Sequence, residues 1–172
     1  MKKFIKHIIS FFVFVGLFTA FSLFLFTLII NKKAKEFIID NNIEKVFIGD
    51  SHIQKDINDA LIGHAINIGE RAEATFYSYY KLKYLLKNNP NIKEVYLGFS
   101  YHNISNYYDP FVKGEYTLTT APKYYFLLPT KTKFSLLLDN FYHVSFYKSV
   151  VKVGFDILKG KEKPYKGKYL NK

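Results

Sequence analysis

The residues best suited to chemistry in this chain stand at the end of one apolar run, Val46-Phe47-Ile48, which stops at Gly49-Asp50-Ser51-His52. A β-branched and aromatic run closed by turn residues reads as a buried strand giving way to a loop, and open α/β sheets keep their chemistry at such strand ends. Ser51 is therefore the candidate nucleophile. A hydroxyl needs a base to take its proton, and charge developing on a carbonyl oxygen needs fixed N–H donors about 3 Å away, each worth roughly 3 kcal/mol. The competing reading is a plain strand-to-turn junction, since Gly, Asp and Ser are common turn residues.

Histidine supplies the candidate bases. His52 is adjacent to Ser51, and neighbouring side chains diverge from a strand end. His102 follows the third apolar run and can face the same rim as Ser51. Asp139 and His143 stand four apart, which on a helix puts both on one face, as base and orienter or as part of an ordinary amphipathic surface. Arg71 beside Gly69 is a candidate for holding an anionic substrate group, with a surface salt bridge as its alternative. There is no phosphate-cradling glycine loop, no His-x-x-x-His pair and no carboxylate cluster at metal spacing, so no metal or cofactor is expected.

Composition narrows the partners. The formal charge of +11 invites nucleic acid or anionic lipid. Arg71 is the only arginine, however, and the lysines are dispersed, whereas base and phosphate recognition leans on arginine. Nucleic acid is not expected as a partner. With no cysteine in the chain, neither disulfides nor thiolate zinc sites hold it together.

Residues 8–30 carry no charged side chain, which is long enough for a bilayer span at roughly 20 residues. A cleaved signal peptide shares the basic start, but its apolar region is usually about 7–15 residues and ends in a small-x-small site, which is missing here. Residues 1–34 are thus expected to be an uncleaved membrane anchor with the lipid bilayer as partner. Lysines flank both ends; we place the amino terminus inside and the rest outside the cytoplasm.

Residues 35–158 are expected to form one α/β domain, followed by a basic, solvated tail at 159–172. Residues 35–42 read as a connector, and residues 44–48, 65–68 and 94–99 as strands. After Ser51, Asp56 is placed to cap a short helix with Ile57, Leu61 and Ile62 inward. Residues 70–87 make the best helix of the domain, with Phe76, Tyr79, Tyr80, Lys83 and Leu86 near one face. This alternation is the grammar of parallel βαβ units, which bury both faces of the sheet. Residues 100–129, rich in tyrosine and threonine, show no sustained period and read as a long excursion, either a binding segment or disorder. Helices follow at 130–138 and 142–158.

With Gly49-Asp50-Ser51 after the first strand, Asn67-Ile68-Gly69 after the second and residues 99–103 after the third, residues 44–104 resemble the SGNH/GDSL hydrolase superfamily. They look most like its membrane-anchored branch of cell-envelope acylation proteins. The resemblance implies a flavodoxin-like three-layer α/β domain with a parallel sheet, or an incomplete copy of one. It implies Ser51 as the nucleophile, its own N–H and that of Gly69 as oxyanion donors, and Asn103 as the looser match to the family's third-block asparagine. The family's base comes from an Asp-x-x-His block near the carboxyl end, and no such spacing follows Asn103. What the resemblance implies is an esterase or O-acyltransferase acting on ester-linked acyl groups of a cell-envelope polysaccharide. The alternative is an incomplete or inactive relative that serves as a non-catalytic, membrane-anchored binding module.

Overall fold

Three short strands, β1 (Lys45–Ile48), β2 (Ala65–Asn67) and β3 (Glu94–Leu97), form a parallel sheet in the order β2-β1-β3. The computed structural model describes residues 2–34, 39–140 and the positions 148, 151, 152, 155, 156, 158 and 159. Residues 35–38, His143 and 160–172 lie outside the described residues, and with them part of the expected connector, half of the Asp139/His143 pair and the basic tail. The chain is α/β, with far more helix than strand.

β1 is apolar at consecutive positions because it is central. Val46 and Ile48 are fully buried on one face, and Phe47 on the other stacks on Tyr96 of β3 at 4.7 Å. Each such burial contributes about 1.5–3 kcal/mol. β3 departs from the expected two-sided burial. All four of its residues are exposed, and β3 is an edge strand of the sheet.

Two helical expectations are corrected. The helix after Ser51 begins at once: α2 spans Ser51–Asp56, capped by Asp50, whose side chain accepts from His52 N at 2.9 Å. Asp56 therefore ends this helix instead of capping it, and Leu61, in the following 3₁₀ turn Asp59–Leu61, is 83% exposed. The second helix, α3 (Thr75–Asn88), starts five residues later than the periodicity indicates and buries Tyr77, Ser78, Lys81 and Leu85 instead of the face through Tyr79 and Leu86.

The reason is a buried polar network that hydropathy patterns do not register. Lys81 Nζ donates to the Glu73 carboxylate and, at 2.6 Å, to Ile68 O. Ser78 donates to Glu73 Oε1 at 2.7 Å and Tyr124 to Glu73 Oε2 at 2.9 Å. Burial pushes the Glu73 carboxyl up from its ordinary range, against the pull of the Lys81 ammonium.

The stretch from 100 to 129 is ordered and helical, another correction. Two 3₁₀ turns, Tyr101–Ile104 and Asn106–Tyr108, lead into α4 (Asp109–Lys113) and α5 (Thr117–Tyr124), then a further 3₁₀ turn, Tyr125–Leu127. Tyr124 to Leu128 belong to the same core as Val46, Ile48, Ile68, Tyr77 and Leu85. α6 (Thr130–Asp139) closes the described domain and buries Lys133 and Leu136.

α1 (Lys2–Ala34) precedes all of this. Its segment Lys3–Phe26 has a mean hydropathy of 2.5 with none of that window buried, long and apolar enough to cross a membrane. Toward its carboxyl end Ser22, Phe26 and Ile29 are half-buried at helical spacing, and α1 packs against the turn Tyr125–Leu127.

Candidate functional site

The parallel sheet delivers three chain segments to one end. Beyond β1, Gly49 takes φ 153°, and a Cβ there would lie 2.8 Å from Ile53 Cγ1 and 3.2 Å from the Gly98 backbone. Only glycine lets β1 turn so closely beneath α2. The ladder hydrogen bonds continue past the strands: Ile68 N donates to Phe47 O at 2.9 Å, Glu70 N to Gly49 O at 2.9 Å and Gly98 N to Ile48 O at 2.8 Å. Asp50 to His52, Glu70 to Ala72 and the turn carrying His102 therefore start from one rim.

An open cavity of about 550 Å³ lies over that rim. Asp50, Ser51 and His52 line it from the first strand end, Arg71 and Ala72 from the second, and His102 from the third. The helical segment after them completes the wall with Tyr107, Tyr108, Phe111, Thr119, Thr120 and Lys123. None of these last six is singled out by the sequence. Their only signal there is the tyrosine and threonine richness of a stretch without period.

Asp50 is the inward-facing acid of the site, 6% exposed. Its Oδ1 accepts from His52 N and its Oδ2 from the Tyr108 hydroxyl at 3.1 Å. Burial first, and the Asp50 charge second, push the Tyr108 phenol well above its usual range, so it serves as a neutral O–H donor. Asp50 thus holds the start of α2, and with it Ser51, in place.

Ser51 is half-buried at the first position of α2, and among the described residues no side chain hydrogen-bonds its hydroxyl. His102 is exposed, its ring 4.9 Å from that of Tyr107. His52 is exposed and 3.8 Å from Asp56 across one helical turn. Arg71 is exposed on the cavity wall.

The other expected residues sit apart from the cavity lining. The Gly69 N–H donates to Asn67 Oδ1 at 2.9 Å, and a Cβ at Gly69 would fall 2.8 Å from the backbone nitrogen of Gln54. Glycine here permits a close approach of α2 to the second strand end. Asn103 folds its side chain back onto its own turn, accepting from Ser100 N at 2.6 Å and Ser100 Oγ at 2.9 Å. Asp139 is engaged by Lys113 at 3.3 Å and Ser135 at 3.2 Å on α6. No group of three or more His, Cys, Asp or Glu among the described residues is arranged to hold a metal ion.

No protein-family model matches the chain, and neither a curated protein nor a solved structure is significantly similar to it.

Proposed function

We propose that this chain is a membrane-anchored, SGNH-like esterase or O-acyltransferase acting on ester-linked acyl groups of a cell-envelope glycan. Its flavodoxin-like domain stands outside the cytoplasm, and α1 is its anchor. The observation that carries the reading is that Ser51 and His102, from the ends of the first and third strands, line one open cavity. In this chemistry His102 takes the Ser51 proton as Oγ attacks the ester carbonyl. The tetrahedral intermediate expels the glycan oxygen, which leaves with that proton, and an acyl-serine remains. Water or an acceptor hydroxyl then repeats the steps in reverse, giving free acid or a new ester.

The test uses the full chain in detergent micelles and a fluorophosphonate probe, which forms a stable phosphonyl ester with an activated serine. Labelling at Ser51, abolished in Ser51→Ala and lowered about a hundredfold in His102→Ala, is the expected result. Folded protein that leaves Ser51 unlabelled overturns the enzyme reading.

A second reading has its own support in the Gly69 amide, committed to Asn67, and the Ser51 hydroxyl, free of any described imidazole. The domain is then a non-catalytic module that binds glycan at the membrane, and Ser51→Ala leaves that binding unchanged.

A further inference from the structure

Arg71 is the one arginine of the chain, and it stands in the tight turn between β2 and α3 beside Ala72, whose φ is 60°. An alanine in the left-handed region costs on the order of 1 kcal/mol and persists only where its surroundings over-determine it. Here they do. Glu70 N is bonded to Gly49 O at 2.9 Å, Glu73 N returns to Glu70 O at 3.1 Å, and the Glu73 carboxylate is locked by Lys81, Ser78 and Tyr124. The turn is therefore tied at both ends by hydrogen bonds within the protein.

Arg71 lines the cavity and makes no ion pair with any described residue. Lys123 lines the same wall and is anchored by Glu70 at 2.8 Å, which ties α5 to the arginine turn. Among the described lining residues Asp50 is the only carboxylate, and it is turned inward onto Tyr108 and the His52 amide. Lys123 is neutralised by Glu70, which leaves Arg71 as the unpaired cation among the described lining residues. Phe111 and Tyr107, with ring centroids 6.0 Å apart, supply apolar surface in the same cavity.

We infer that Arg71 binds an oxyanion carried by the ligand of this cavity, a sugar carboxylate or a phosphate group. A planar guanidinium presents two parallel N–H donors that match either anion, which a lone ammonium cannot do. That the carrier is a glycan rests on the function proposed above; the anion site itself does not.

The experiment measures binding to the full chain in micelles with two probes, oligogalacturonate and inorganic phosphate, and with neutral cello-oligosaccharide as reference. Oligogalacturonate or phosphate should bind in preference to the neutral sugar, and Arg71→Gln should weaken that binding about tenfold. Lys87→Gln, which removes one charge at the exposed end of α3, should leave it within twofold. Carboxylate preference and phosphate preference each support the site and tell the two anions apart. Equal binding of neutral and anionic probes, or equal losses in Arg71→Gln and Lys87→Gln, overturns it. Binding lost in Arg71→Gln alongside an unlabelled Ser51 keeps the anion site and removes only the esterase.

Discussion

The Tyr108 hydroxyl donates to Asp50 Oδ2 across 3.1 Å, joining the helical segment over the cavity to the residue that caps the Ser51 helix. Two segments 58 residues apart in the chain are thereby fixed to each other at the candidate site.

Tyr108→Phe removes that donor and leaves half of the Asp50 carboxylate without its partner. A hydrogen bond to a charged group contributes about 1.5–3 kcal/mol, less where water can replace it, so a loss of about 1 kcal/mol is expected. Thermal unfolding in micelles reads it as a drop of several degrees. Limited proteolysis should also cut faster within residues 101–116.

Gly69→Ala tests whether this glycine serves close packing. Its Cβ would lie 2.8 Å from the Gln54 nitrogen and 2.9 Å from Ile53 Cγ2, and backbone yields less readily than a side chain. Overpacking of this kind costs about 1–3 kcal/mol. Because the displaced element is α2, any reactivity of Ser51 toward a fluorophosphonate should fall together with the melting temperature.

Lys81→Met leaves Glu73 buried without its cation. Breaking a buried pair from one side costs about 3–5 kcal/mol, whereas replacing both partners with apolar residues of similar size is often neutral. Lys81→Met should therefore unfold at a much lower temperature, and Glu73→Leu combined with Lys81→Met should recover most of the loss. A double variant no more stable than the single one would mean that Ser78 and Tyr124 depend on the carboxylate as well.

Lys133 gives a pH dependence. It is buried on α6 with its ammonium 5.3 Å from the Tyr125 ring centre, and burial pushes it down to about 8 from an ordinary 10.5. Below pH 8 both states carry the proton and the native state bears the full desolvation penalty. Between about 8 and 10.5 the unfolded chain holds a proton that the native chain lacks, so this group's contribution to stability rises with pH. Lys133→Met keeps the stem and removes the penalty. Its melting temperature relative to that of the wild type should be highest near pH 7 and fall toward pH 10.

Sequence alone determined the features that depend on local pattern. A charge-free run in residues 8–30 demands a long apolar helix whatever the rest of the chain does, and α1 is that helix. Val46 to Ile48 ends at Gly49-Asp50-Ser51 as a strand must, and the three parallel strands and the rim they share follow from strand and helix alternation. Tertiary structure decided what depends on partners distant in the chain. Lys81 faces inward because Glu73 and Ile68 O await it, and that rotates α3 away from the face its hydropathy favours. Position 69 is glycine because α2 packs too closely there for any side chain, and its N–H is given to Asn67. Tyr108, Phe111 and Lys123 reach the cavity only because an aperiodic stretch folds into short helices over the sheet rim, held by contacts that no local period encodes.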